Sequence, residues 1–233
     1  MMEQELTKFL TFWDHLNENE KELLKQNATF QTYAKGITMH RGSDDCLGVV
    51  LVRKGQLRTY MLSPDGRDIT LYRLFAGDVC ILSASCVLET ITFDVFIDIE
   101  ENSEIITITA TLFQQLAKQN IYVETFGYKM ATNRFSDVMW AMQQILFMSV
   151  DKRLAIFLKE EAEKNNSLEL KITHEQIAKY MATAREVVTR MLKYFSQEGI
   201  VKISRGKITI VDKHKLDKLT IDSVSYTHLR AHE

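Results

Sequence analysis

Short strand-like segments rich in apolar residues dominate the first half of the chain. They include GVVLV, GQLRTYML and DITLYRL, and turn signals such as KG and SPDGRD separate these segments. Gly55 and the corner at residues 64–66 (PDG) stand where hairpins need their turn residues. The pattern predicts an all-β region from about residue 30 to residue 108, in the form of a small barrel or jelly roll.

A long helical pattern without proline follows, from about Leu112 to Met148. Large apolar side chains recur along it at four-three-four spacing, which is typical of a seam that packs against a partner helix. Further apolar positions widen this surface, so part of it could pack on the β-region, and a helix buried within one chain is the alternative. The expected dimer seam comprises Phe135, Val138, Met139, Met142, Ile145 and Leu146.

Two short helical patterns near the carboxyl end predict a helix-turn-helix. Residues 173–176 (THEQ) have the form of a capping box, in which glutamine follows a hydroxyl residue by three positions. Residues 183–186 (TARE) repeat this form, and the apolar stripe that follows ends at Gly199. The segments VKIS and KITIV then predict a hairpin around Arg205 and Gly206. A winged helix-turn-helix is therefore expected.

The second helix of this motif presents long hydrogen-bonding side chains on its outward face. Such a face is ordinarily only solvated surface, but here it lies in a basic segment. Residues 168–219 contain 11 Lys and Arg against 6 Asp and Glu, whereas residues 1–167 contain 17 against 23. The combination of motif, hairpin and charge predicts DNA binding. The outward positions are Arg185, Glu186, Thr189, Arg190 and Lys193.

The order of β-region, long helix and winged helix-turn-helix resembles the CRP/FNR (cyclic-AMP receptor protein/fumarate-nitrate regulator) family of bacterial transcription factors. The resemblance is most specific in ITHEQIAKYMATAREVVTRMLKYFSQEGIV and weaker in RKGQLRTYMLSPDGRDITLYRLFAGDV. It implies an α+β fold with an antiparallel β-roll, which is cupin-like and of the cyclic-nucleotide-binding type. We expect a β-roll domain at 1–110, a dimerisation helix at 111–148, a winged helix-turn-helix at 149–219, and a tail at 220–233 that is a cloning or sequencing scar from about residue 223.

By this resemblance, the second helix of the motif reads bases. Arg185, Glu186 and Arg190 fall where the cyclic-AMP receptor branch contacts DNA. An arginine there can donate two hydrogen bonds to guanine, and a glutamate can accept one from cytosine, which predicts an inverted repeat with TGTGA-like half-sites. Thr189 is also assigned to base reading, but it departs from the branch pattern and leaves the middle positions open. Phosphate contacts are expected from Thr173, Thr183, Lys193, Ser204, Arg205 and Lys207.

The resemblance also argues against cyclic AMP as the effector. The family's nucleotide pocket needs Gly-Glu-Leu after the Gly-Asp turn and an Arg-Ser pair further on. Here Leu82 takes the glutamate position, and no arginine occurs between Arg73 and Arg134. A cyclic phosphate would lack its guanidinium partner. The iron-sulfur members use cysteines near the amino terminus, and none precedes Cys46, so that cofactor is not expected either.

Two cysteines leave the chemistry of the effector region open. Cys80 and Cys86 could form a thiol pair that oxidises, or half of a metal site, or they could be small buried apolar residues. Their spacing matches neither a CxxC redox turn nor a zinc knuckle, which favours the last reading. No HxH or ExxH spacing supports a metalloenzyme, so we expect neither a metal nor an enzyme. The candidate effector region comprises Gly77, Asp78, Cys80, Leu82, Ser83, Ser85 and Cys86.

The remaining expectations concern location and partners. The amino-terminal residues lack a signal-peptide pattern, and no stretch approaches the roughly 20 apolar residues that span a bilayer. We therefore expect a cytoplasmic protein without membrane contact. Its expected partners are a second copy of itself, double-stranded DNA, an unidentified small effector and RNA polymerase. The alternatives are a ligand- or redox-sensing β-roll that acts on a protein partner, and a cupin-type metal-binding protein.

Overall fold

The computed structural model describes residues 2–42, 47–81 and 94–221. The chain divides into two compact units, Met1–Ala141 and Met142–Glu233. Among the helices in these described ranges, none has the length and apolar character needed to cross a membrane.

Two helices and a short 3₁₀ turn precede the β-region. The second helix begins at a capping box, in which Glu20 N donates to Asn17 Oδ1 at 2.9 Å and Asn17 N donates to Glu20 Oε2 at 2.8 Å. Apolar side chains of these elements, among them Leu6 and Leu24, pack with the first sheet in one core cluster. The elements are α1 (Met2–Phe9), the 3₁₀ turn (Trp13–His15) and α2 (Glu18–Asn27).

In the described part of the chain, eight strands form two four-stranded antiparallel sheets, which confirms the predicted β-roll. Alternate side chains face inward between the sheets, and Val50, Leu57 and Ile97 are fully buried there. The strands are β1 (Ala28–Tyr33), β2 (Thr38–Arg41), β3 (Val49–Lys54), β4 (Gln56–Leu62), β5 (Asp68–Phe75), β6 (Val79–Cys80), β7 (Phe96–Ile99) and β8 (Ser103–Ile108). Their order is β1-β8-β3-β6 in one sheet and β2-β7-β4-β5 in the other.

Gly55 forms the turn between β3 and β4, as the sequence predicts. Its φ is 95°, and a Cβ atom added there would lie 2.2 Å from Ser103 Oγ. Only glycine fits a backbone position that needs both a left-handed conformation and this close approach.

The long helical pattern forms two helices rather than one. The first is α3 (Ala110–Gln119) and the second is α4 (Ile121–Phe147). Asn120 interrupts them with extended backbone at φ −133° and ψ 110°. Its side chain fixes the break, because Nδ2 donates to the carbonyl of His15 at 3.1 Å and Oδ1 accepts from Tyr122 N at 3.1 Å. The prediction of one continuous helix was therefore wrong at this residue.

The second unit contains four helices and a three-stranded antiparallel sheet of order β10-β11-β9 within its described residues. One core cluster joins them, and Leu158, Ile177 and Phe195 are fully buried in it. The elements are α5 (Val150–Lys164), β9 (Glu169–Leu170), α6 (His174–Tyr180), α7 (Arg185–Gln197), β10 (Val201–Ser204), β11 (Lys207–Ile210) and α8 (Lys213–Ile221).

Candidate nucleic-acid interface

The predicted capping box at Thr173 begins α6. Gln176 N donates to Thr173 Oγ1 at 3.2 Å, and Thr173 N donates to Gln176 Oε1 at 3.0 Å. The second predicted box does not form, since Ala184 is the capping residue of α7 and no side chain in the described structure caps it. Thr183 belongs instead to the turn that closes α6, where its N–H donates to the carbonyl of Ala178 at 3.0 Å.

The turn between α6 and α7 holds a residue in a left-handed conformation. Ala182 has φ 48°, at the position after the helix end where glycine is the usual residue. Arg153 of α5 supports this turn, because its Nη1 donates to the carbonyl of Met181 at 3.1 Å. The Arg153 side chain is buried, and burial lowers the pKa of its guanidinium. A polar contact from a neighbouring helix thus links α5 to the turn that precedes α7.

Packing of its apolar face orients α7. Val188, Leu192 and Phe195 are fully buried in the core of the second unit. All of the predicted outward residues are exposed, as the helical spacing requires. These are Arg185, Glu186, Thr189, Arg190 and Lys193.

The wing is an antiparallel hairpin of β10 and β11, with Val201 opposite Ile210 and Ser204 opposite Lys207. Gly206 allows the tight turn, because its φ is 70°. Ser204 and Arg205 at the tip are exposed. The predicted hairpin is confirmed.

A groove of about 200 Å³ lies between the start of α6, the start of α7 and the wing. Thr173, Arg185, Ser204 and Lys207 converge on it, so four residues assigned to DNA contact from the sequence line one concave surface. Two cations and two hydroxyl groups suit an anion such as a phosphate oxygen. Glu175 also lines the groove and opposes anion binding there.

Two of the predicted DNA-contacting cations are held by carboxylates. Arg185 Nε lies 3.9 Å from Glu175 Oε2, and both side chains are exposed. Lys207 forms an ion pair with Glu169 across β11 and β9. Exposed ion pairs of this kind contribute about 0–1 kcal/mol to stability, so an anion such as a DNA phosphate can displace the carboxylates at little cost.

His174, at the start of α6, contacts the recognition face of α7. Its Nδ1 lies 3.0 Å from Thr189 Oγ1, and the Thr189 hydroxyl donates to the carbonyl of Arg185 at 2.9 Å. Burial lowers the pKa of His174, and the positive charge of Arg185 adds to the effect. This contact of His174 could not be predicted from the sequence, because no periodic pattern links it to a residue 15 positions away on another helix.

Comparison with known proteins identifies the family. Residues 152–219 match the Crp-like helix-turn-helix domain. The chain is similar to a protein from Eubacterium rectale described as a transcriptional regulator of the crp/fnr family, with 47% identity over 91% of this chain and 98% of that chain, and a TM-score of 0.86. The chain belongs to the CRP/FNR family. It is a transcriptional regulator with a DNA-binding helix-turn-helix, as the sequence resemblance implied.

More distant members of the CRP/FNR family agree with this assignment. The regulatory protein HlyX of Actinobacillus pleuropneumoniae is 22% identical over 95% of this chain and 87% of its own. The regulator Vfr of Pseudomonas aeruginosa, named as cAMP-activated, is 24% identical over 76% of this chain and 86% of its own. The family is one of transcription regulators and not of enzymes, as expected.

Helix α4 carries the seam that the sequence assigns to dimerisation in this CRP/FNR protein. Phe135 and Leu146 are 65% and 64% exposed in the single chain, and Met139 and Met142 are about half exposed. Val138 differs from them, since it packs against the core cluster between the two sheets. An apolar stripe with this exposure is typical of an interaction surface.

The candidate effector region is described only in part. Gly77 and Asp78 form the predicted turn, in which Asp78 Oδ2 accepts from Phe75 N at 2.8 Å. Cys80 is fully buried, and its Sγ lies 3.6 Å from the hydroxyl of Tyr72. Burial raises the pKa of Tyr72 well above its usual value. The other predicted residues of this region lie outside the described residues, and they are Leu82, Ser83, Ser85 and Cys86. Cys46 also lies outside the described residues.

Arg134 of α4 reaches this region, which the sequence analysis did not foresee. Its guanidinium carbon lies 5.1 Å from the centre of the Tyr72 ring, and its Nη2 lies 3.9 Å from Asp78 Oδ1. Asp137 Oδ2 also pairs with its Nη1 at 2.9 Å, so two carboxylates offset the charge. Within the described ranges, no three His, Cys, Asp or Glu side chains come together as a metal site.

Proposed function

We propose that the protein is a homodimeric regulator that reads an inverted DNA repeat with helix α7 of each subunit. One observation carries the proposal. The four side chains assigned to base reading share the exposed face of α7, while its opposite face is fixed in the core. A helix held in this way can enter the major groove without rearranging the unit that presents it.

The chemistry of the exposed face favours G·C pairs. Arg185 stands at the first position of α7 and Arg190 lies on the same face, and each guanidinium can donate two hydrogen bonds to O6 and N7 of guanine. Glu186 can accept a hydrogen bond from N4 of cytosine. The proposed half-site is therefore TGTGA-like, with Thr189 facing its middle positions.

The groove beside α7 is the proposed phosphate site. Thr173, Ser204 and Lys207 line it, and Arg205 extends the positive charge along the wing. These groups set the register of α7 on the duplex, and they carry no sequence information of their own. Thr183 and Lys193 are proposed to contact the flanking phosphates.

Dimerisation through α4 would supply the two-fold symmetry that an inverted repeat requires. Phe135, Met139, Met142 and Leu146 form the exposed seam. Two recognition helices related in this way contact half-sites about 34 Å apart.

The β-roll is proposed to bind an effector other than cyclic AMP. Arg134 does not replace the missing arginine of the nucleotide pocket, because Asp78 and Asp137 already pair with it. A cyclic phosphate would have to compete with these two carboxylates. Contact with RNA polymerase is proposed from family membership alone.

Selection of binding sites from random duplexes tests the assignment of the helix face. Arg185→Ala should lose about 1–3 kcal/mol of binding free energy and relax the preference at one G·C pair. Lys207→Ala should weaken binding to all sequences alike and reduce the slope of log K against log salt by about 1. Lys118→Ala, which removes an exposed charge on α3, is the matched control and should change neither quantity.

Selected half-sites without G·C pairs would contradict the proposal. So would an Arg185→Ala variant that keeps the wild-type sequence preference.

A further inference from the structure

The hydroxyl group of Thr189 is already bonded within the protein. Its single hydrogen is donated to the carbonyl of Arg185 at 2.9 Å, one turn earlier on α7. Its oxygen lies 3.0 Å from His174 Nδ1. Because the hydroxyl hydrogen is used, His174 must supply the hydrogen of this second bond, which assigns it the tautomer with a proton on Nδ1.

This bonding pattern changes what Thr189 offers to DNA. Threonine on a recognition helix can use either its hydroxyl or its methyl group toward bases. Here the hydroxyl has donated its hydrogen and accepted another, so it can no longer donate to a base, and toward the DNA Thr189 offers its methyl group and one lone pair. Thr189 is exposed and lies on the face of α7 that also carries Arg185 and Arg190.

We propose that Thr189 is a specificity-determining residue that recognises the C5 methyl group of a thymine, and that His174 is the positioning residue that holds its hydroxyl away from the DNA. The proposal rests on the base-reading role of α7 given above. Thymine is the base that displays a methyl group in the major groove, where apolar contact distinguishes it.

His174 is well placed for this role because its own position is fixed. It is the first residue of α6, directly after the capping box formed by Thr173 and Gln176. The charged groups that line the groove with it are Glu175 on its own helix, Arg185 on α7, which pairs with Glu175, and Lys207 on β11. A threonine hydroxyl in a helix can bond the carbonyl one turn back without help, but the bond from His174 adds a second restraint on its rotation.

Single replacements of thymine by uracil in the selected half-site provide the test, since uracil lacks only the C5 methyl group. We expect one position at which the replacement weakens wild-type binding about fourfold, the effect of losing one buried methyl group. Thr189→Val keeps the methyl and should keep this effect. Thr189→Ser keeps the hydroxyl, removes the methyl, and should bind the thymine and uracil duplexes equally.

The positioning role of His174 is tested in the same titrations. His174→Ala should reduce the fourfold effect, because the hydroxyl then keeps only its bond to the carbonyl of Arg185 and has one restraint on its rotation instead of two. His174→Asn should restore it, since the asparagine Nδ2 can donate in place of His174 Nδ1. Affinity for a random duplex reports whether each variant is folded, and it should stay near the wild-type value for the Thr189 variants.

The outcomes separate this inference from the proposed function. If wild-type protein selects no preferred sequence, base reading by α7 is wrong and this inference falls with it. If a preferred sequence emerges but no uracil replacement weakens binding, or Thr189→Ser keeps the effect, only the methyl-recognition proposal is overturned. Equal effects in His174→Ala and wild type would overturn the role of His174.

Discussion

Replacing Ala182 with glycine should stabilise the second unit. Ala182 lies between α6 and α7 with φ 48°, a conformation in which a Cβ atom crowds the backbone. Two backbone hydrogen bonds flank it, since Met181 N donates to the carbonyl of Ile177 at 2.9 Å and Thr183 N donates to the carbonyl of Ala178 at 3.0 Å. The second of these bonds closes the helix around a residue in the left-handed position, which is normally glycine.

The expected change in the free energy of unfolding is the sum of one stabilising and two destabilising contributions. Relief of the left-handed alanine contributes about 1–2 kcal/mol. The greater freedom of glycine in the unfolded chain costs about 0.4–1 kcal/mol. Ala182 is only partly buried, so the lost methyl costs about 0.4 kcal/mol, half the value for a buried group. The net expectation is a gain of about 0.5 kcal/mol.

Hydrogen exchange of the full-length protein, followed by mass spectrometry over α6 and α7, measures this change. A gain of about 0.5 kcal/mol slows exchange about twofold where it proceeds through opening of the unit. Ala182→Val tests the same argument in the opposite direction, because a β-branched residue is a genuine outlier in this conformation and should destabilise the unit by about 1 kcal/mol or more.

Asn166→Gly is the matched control. Asn166 also has a positive φ, of 46°, in the same unit. Asparagine adopts this conformation readily, so the replacement should bring little gain. The reasoning is refuted if glycine and valine at position 182 shift exchange in the same direction, or if Asn166→Gly stabilises the unit as much as Ala182→Gly.

Two further predictions concern charge and assembly. Glu175→Gln should raise affinity for the selected site by up to about fivefold, because Arg185 must leave Glu175 to bind guanine. Affinity for a random duplex should rise by no more than this, as measured by fluorescence anisotropy, and a larger gain on the random duplex would contradict the role of the pair. Met139→Glu places a charge in the exposed seam of α4 and should yield monomers in analytical ultracentrifugation at micromolar concentration. Gln119→Glu on α3 is the control and should leave the protein dimeric. A dimeric Met139→Glu protein would rule out the seam as the dimer interface.

Features that depend on near neighbours in the chain could be predicted from the sequence. The capping box that begins α6 needs only Thr173 and Gln176, three positions apart. The glycine turn at Gly55 and the apolar stripe of α7 are local in the same sense. These predictions are confirmed because each feature depends only on residues within one or two turns of the backbone.

Features that depend on distant residues could not be predicted. Asn120 breaks the helical pattern, and its side chain does so by bonding the carbonyl of His15, which is 105 positions away. Arg134 approaches Tyr72 only because α4 folds back on the β-roll. The repeated capping form at Thr183 failed for a local reason, because the N–H of Thr183 closes α6 at Ala178 and Ala184 takes the capping position of α7.

The acidic partners of the predicted DNA-contacting cations bear on how the protein tells one sequence from another. Arg185 can pair with Glu175 or donate to a guanine, but one guanidinium edge cannot do both at full strength. At a site without the matching guanine, Arg185 can stay paired with Glu175, whereas at the cognate site two hydrogen bonds to guanine must displace the carboxylate. Removing the carboxylate is therefore expected to help specific binding at least as much as non-specific binding. We infer that Glu175 lowers affinity without raising the ratio between right and wrong sequences, which is the quantity that matters among many competing sites.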